Sequence, residues 1–100
     1  MMERLPFETG RVVQSRQGRD AGRYFVVLHV VDEKYVMMAD GLTRKISHPK
    51  KKKIMHLHPK PIVVDCVAEK LPAHQLLDSD LRKALKEHGL QIDQPLCKEG

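Results

Sequence analysis

The chain has 100 residues and a mass of 11.5 kDa, the length of one domain, which excludes a multi-domain enzyme. Apolar residues make up 41%, but Trp is absent and only Phe7, Tyr24, Phe25 and Tyr35 are aromatic, so the core falls to Val, Leu, Ile and Met. Lys and Arg number 18 against 13 Asp and Glu, a net charge of +5 and a pI near 9.4, a balance that suits solubility and polyanion binding. Glu3, Arg4 and Pro6 interrupt any apolar run that a signal-peptide core would need. The longest apolar run, Tyr24 to Leu28, is strand-sized and far from the roughly 20 residues of a spanning helix. Cys66 and Cys97 lack the paired spacing of a zinc or redox centre and read as free thiols of a reducing cytosol, so a cytoplasmic location is expected.

In chain order, short Val- and Tyr-rich runs cut by turn residues predict strands at Arg11 to Ser15, Arg23 to Val31, Lys34 to Ala39, Thr43 to Ser47 and Ile54 to His58. Gly18 to Gly22, Asp32-Glu33 and Asp40-Gly41 supply the turns between them. Five such strands predict a mainly β fold, a small closed or half-closed barrel, because a flat sheet of this size exposes its edges. Ile62 to Val64 fits a further strand or an extended arm. After Pro72, Leu76, Leu77, Leu81, Ala84 and Leu85 recur at helical spacing. Asp78 or Ser79 is the expected N-cap, Gly89 the stop, and a start near Ala73 would give one longer helix. The stretch from Gln91 to Gly100 is expected to be loosely ordered. The division is therefore a barrel over residues 1–60 and an extension over 61–100 whose amphipathic helix packs on or beside it.

Charge is uneven along the chain. Residues 1–60 hold 13 Lys and Arg against 6 acids, whereas 61–100 hold 5 against 7. The focus is Arg44 to Lys60, with Arg44, Lys45, Lys50, Lys51, Lys52, Lys53 and Lys60, three histidines at 48, 56 and 58, and no acid.

Residues 10–41 begin Gly-Arg-Val-Val, pass through Gly18-Arg19-Asp20-Ala21-Gly22-Arg23, and continue into a second apolar strand holding Val26, Val27 and Val30. This resembles the KOW motif, in which a Gly-x-Val strand and a Gly-x-Asp-x-Gly-Lys/Arg turn lead into a strand of alternating apolar residues. In the turn, Gly22 suits a positive φ or a close backbone approach, and Asp20 suits hydrogen bonds to neighbouring amides. The downstream segments, Asp40 to Lys45 and Lys51-Lys52-Lys53-Ile54-Met55-His56-Leu57-His58, are similar to those of KOW-bearing large-subunit ribosomal proteins of the L-fourteen-e type. The resemblance spans about residues 8–60. It implies an SH3-like barrel, followed here by the C-terminal α-helix, and a non-catalytic role in binding structured RNA, most often ribosomal RNA, beside neighbouring ribosomal proteins and without cofactor, small-molecule substrate or membrane.

The residues suit that role. Arg16, Arg19 and Arg23 bracket the turn, where guanidinium forks can hold phosphates. The amides around Gly18 and Gly22 can approach a phosphate closely, and Lys50 to Lys53 read as a flexible cationic loop. Arg44, Lys45, His48, His56 and His58 complete the expected RNA-binding set. Other readings of the same residues are a solvated lysine loop at a strand edge, a nuclear-import signal after Pro49, and a zinc site using His48 with His56 and His58 on one strand face. A functional alternative is a protein-binding adaptor that uses the barrel or the Leu stripe of the helix. Catalysis lacks a nucleophile in any constellation, and the carboxylates of Asp32, Glu33 and Asp40 fall in turns.

Overall fold

A computed structural model describes residues 7–90; the expectations for Cys97 and for the stretch from residue 91 onward lie outside them. Five strands, β1 (Arg11–Ser15), β2 (Tyr24–Val30), β3 (Tyr35–Ala39), β4 (Lys50–Lys53) and β5 (Leu57–Val63), are followed by helices α1 (Asp65–Lys70) and α2 (Asp78–Glu87). The strands form one antiparallel sheet in the order β4-β3-β2-β1-β5. Its edges, β4 and β5, are joined by a single 3-10 turn, Ile54–His56. In a flat sheet those edges would be about 19 Å apart at about 4.8 Å per strand, whereas three 3-10 residues rise only about 6 Å. The sheet therefore curls until its edges meet at that end, although no ladder joins β4 to β5.

Curling gives the sheet two apolar faces. Val13, Phe25, Val27, Val36, Met38 and Leu57 fill the concave side, with Phe7 and Ile54 packed against them. Val12, Val26, Leu28 and Ala39 face the other way, against Val64 and Val67 of the α1 segment and Leu76, Leu81 and Leu85 of the α2 segment. Successive residues Arg11 to Val13 of β1 and Phe25 to Leu28 of β2 are thus buried on both faces, which explains why these strands read as continuous apolar runs rather than clean alternation. Of the Leu stripe, Leu76, Leu81 and Leu85 pack on the chain's own sheet, whereas Leu77 stays exposed. No helix of the described residues is long and apolar enough to cross a membrane.

Four local expectations change. Thr43 to Ser47 is a turn and not a strand, because the Asp40 carboxylate draws in the amides of Leu42, Thr43 and Arg44. The lysine run is not a loop but the edge strand β4, paired residue for residue with β3 from Tyr35↔Lys53 to Met38↔Lys50; lysines are suited to an edge because their charge deters pairing with another chain. Ile54–His56 turns as 3-10, and the last strand starts at Leu57 and runs on to Val63. Pro59 and Pro61 are tolerated in it because β5 pairs on one side only.

In the C-terminal part, Leu71 to His74 breaks the chain between two helices, with His74 at φ 58, so the longer helix from Ala73 does not form. Leu77, not Asp78 or Ser79, is the N-cap of α2. Its amide donates to the Asp80 carboxylate at 2.9 Å, while Asp78 is engaged elsewhere. Gly89 ends the helix as expected, with φ 70, its amide on the Lys86 carbonyl and the Leu90 amide on the Leu85 carbonyl, a Schellman arrangement. The Cys66 thiol is half-buried; burial and then the Asp80 carboxylate push it above its ordinary value, which makes it a weak nucleophile.

Candidate nucleic-acid interface

At the β4 edge, the turn between β1 and β2 and the turn after β3 enclose an open cleft of about 320 Å³. Arg19 and Arg23 come from the first turn, Arg44 and Thr43 from the second, and Lys50 from β4, over a floor that includes Phe25. Four cations from three separate stretches of sequence are thereby brought to one place, with Asp20 among them.

The first turn is built around Asp20. Gly18 and Gly22 both adopt positive φ, near 90°, and the Gly22 amide returns to the Ser15 carbonyl at 2.8 Å. The Asp20 carboxylate does not hold neighbouring amides as the sequence suggested. It accepts the Ser15 hydroxyl at 2.7 Å and the Lys52 ammonium at 3.1 Å, and pairs with Lys50 at 3.1 Å. Burial alone would raise its pKa, but the hydrogen bonds from Ser15, Lys52 and Lys50 and the charge of Lys52 outweigh it and hold the carboxyl below its usual value. The β1–β2 turn is in this way fastened to β4.

Period-two geometry divides the lysine run. Lys50 and Lys52 sit opposite Met38 and Val36 and share the concave face. Lys52 is only 8% exposed, and its ammonium also donates to the Gln17 carbonyl at 2.9 Å, so it is an internal strut and is not presented to a ligand. Lys51 lies on the other face, 4.7 Å from the centre of the Tyr35 ring. Lys53 lies by Met55 and Glu33 in a separate hollow.

The second turn is built around Asp40, which is buried. One carboxylate oxygen accepts three amides, from Leu42, Thr43 and Arg44, at 2.8–2.9 Å, and the other accepts the Thr43 hydroxyl at 2.8 Å and lies 3.6 Å from Arg23. Helix α2 clamps this turn from outside. Arg82 donates to the Gly41 carbonyl at 2.7 Å, and the Ile46 amide donates to Asp78 at 2.7 Å. Arg44 is held at the cleft with its side chain exposed.

The remaining expected residues lie apart. Lys45 and His48 are exposed beyond the Arg44 turn, His48 beside the Ser47 hydroxyl. Arg16 and His58 line a hollow at the β1–β5 end, with Phe7 and Met55. His56 belongs to the 3-10 turn and His58 to β5, so the two do not share a strand face, and among the described residues no group of three His, Cys, Asp or Glu could hold a metal. Ser15, Thr43, Asp78 and Arg82 shape the cleft without having been marked by the sequence. Only the apolar-then-Ser end of β1, leading into a Gly-Asp-Gly turn, could have pointed to Ser15 as the partner of Asp20. No model of a known protein family matches the chain.

Proposed function

We propose that the protein is a non-catalytic RNA-binding module of the KOW type, a partly open SH3-like barrel that grips phosphates of structured RNA, ribosomal RNA foremost. The observation that carries this reading is the convergence of Arg19, Arg23, Arg44 and Lys50 on one cleft at the very turn whose Gly-x-Asp-x-Gly-Arg sequence resembles the KOW motif. The strand order, with a 3-10 turn leading into the last strand, supports the barrel.

Chemically, structured RNA offers phosphates and 2′-hydroxyls on a rigid shape. A cleft whose cations are anchored on the backbone side can match that shape with little ordering cost on binding. Arg19 and Arg44 are exposed on opposite turns, placed to hold phosphates bidentately, while Lys50, already beside Asp20, contributes the weaker contact. Lys45 and His48 extend the basic surface beyond the Arg44 turn, Lys51 adds charge on the other face of β4, and Lys52 acts indirectly, by fixing the turn.

The test is a titration of a structured ribosomal RNA fragment across ionic strength. If about five phosphates are engaged, log K falls against log[salt] with a slope of roughly −3.5 to −4.5. The double change Arg19→Ala and Arg44→Ala lowers the magnitude of that slope by about 2, whereas a slope near zero for the native chain sinks the proposal.

A further inference from the structure

The helices do not cover the whole outer face of the sheet. Bordering the patch formed by Val12, Val26 and Leu28, against which Tyr24 packs, one row of that face consists of side chains with flat ends. Gln14 of β1 is paired directly with Tyr24 of β2 on one side and with His58 of β5 on the other. Directly opposed residues of a sheet point to the same face, with Cβ atoms about 4.5–5.5 Å apart. Phenol, amide and imidazole therefore stand side by side across three strands. His58 is exposed, and Gln14 and Tyr24 are half-buried. Lys60, from the same strand as His58, brings its ammonium to 5.7 Å from the centre of the Tyr24 ring.

This row meets the β1–β2 turn that also serves the cleft. The Gln14 amide donates to the Gly22 carbonyl at 3.3 Å, so the row abuts the turn that carries Arg19 and Arg23. A primary amide has two donors and an acceptor, and that bond uses one donor. The composition matches the needs of a single nucleobase: a ring to stack on, an amide to meet a base edge, and a cation beside them for the attached phosphate.

We propose that the Tyr24–Gln14–His58 row is a seat for one unpaired RNA base lying next to the duplex whose phosphates occupy the cleft. The base stacks on Tyr24, Gln14 meets its edge, and Lys60 swings from the ring to the neighbouring phosphate. This inference rests on the RNA-binding reading above and adds to it a preference for bulged or looped-out sites over continuous duplex.

Two fluorescein-labelled hairpins, identical except that one carries a single-nucleotide bulge, are titrated by anisotropy with the native chain, Tyr24→Leu and Tyr24→Phe. A base–aromatic stack predicts that the native chain and Tyr24→Phe bind the bulged hairpin about 5- to 100-fold tighter than the paired one, and that Tyr24→Leu loses this preference while keeping its affinity for the paired hairpin. With 2-aminopurine as the bulged base, its emission falls on binding to the native chain and to Tyr24→Phe but not to Tyr24→Leu. Equal affinity of the native chain for both hairpins, or unchanged 2-aminopurine emission in its complex, overturns the base seat and leaves phosphate binding standing. Failure of the native chain to bind either hairpin overturns both.

Discussion

The two turns that flank the cleft solve the same problem with different physics. Each is organised by one largely buried aspartate and a glycine at positive φ, yet Asp20 is held by a hydroxyl and two ammonium groups, whereas Asp40 is held mainly by backbone amides and a threonine hydroxyl. The first turn is an electrostatic tie between β4 and the β1–β2 connection. The second is a hydrogen-bonded knot wedged against α2. Charge ties respond to pH and salt, while knots respond to packing, so the two walls of one cleft should fail under different perturbations.

The glycines give the sharpest break of this comparison. At Gly41, φ is 77° and an added Cβ would stand 2.2 Å from the Asp78 carbonyl oxygen, a backbone atom that cannot step aside without moving the first turn of α2. Strain of about 1–3 kcal/mol from the backbone is added to that clash, and Gly41→Ala is expected to cost roughly 4 kcal/mol in urea unfolding. The loss should come with weakened packing of α2, seen as faster amide exchange along Leu81 to Leu85. Next in size is Asp40→Ala, which strips the acceptor from three turn amides; the expected loss is about 3 kcal/mol. It also releases the Arg44 amide, so RNA affinity should fall through misplacement of Arg44, with the magnitude of the salt slope reduced by about 1.

Asp20→Asn tests the other wall and carries a pH signature. The folded carboxyl lies below its usual value, so its contribution to stability is fully present above the unfolded value near 3.9 and is lost as pH falls through the lower folded value. Native and Asp20→Asn chains should therefore differ by about 2 kcal/mol at neutral pH, and the difference should shrink once the pH drops below about 4. A difference that stays constant down to the acid transition would show that the ion pairs with Lys50 and Lys52 contribute nothing to the fold.

Most of the sheet was legible in the sequence because β1, β2 and β3 combine apolar runs with strong turn residues, and α2 combines helical spacing with a terminal Gly89. What escaped follows from tertiary context. Four lysines in a row carry no apolar pattern, so nothing local marks Lys50–Lys53 as a strand; it is one because β3 offers a ladder and Asp20 waits at its end. Two prolines argue against a strand at Leu57–Val63, and only the edge position makes them harmless. The cleft was half legible: Arg19, Arg23, Arg44 and Lys50 were anticipated, but the removal of Lys52 from the surface depends on a partner 32 residues away, and the clamp of Asp78 and Arg82 on the second turn depends on where α2 packs.

Gly22→Ala is the smallest change and the most informative control. Its φ of 90° matches that of Gly18, yet an added Cβ at position 22 meets nothing within 4 Å. Of the two roles the motif allows this glycine, backbone conformation is the one in force, and close approach is not. The cost should be that of the left-handed backbone alone, about 1–2 kcal/mol, well below that of Gly41→Ala although both residues have positive φ. If the turn adjusts, the change should fall on its ends, the Gly22 amide bond to Ser15 and the Gln14 bond to the Gly22 carbonyl, leaving the Asp20 tie in place. An RNA affinity that drops while the pH profile of stability stays native would then place the effect at the row of Gln14 and Tyr24, and not in the charge tie that holds the cleft.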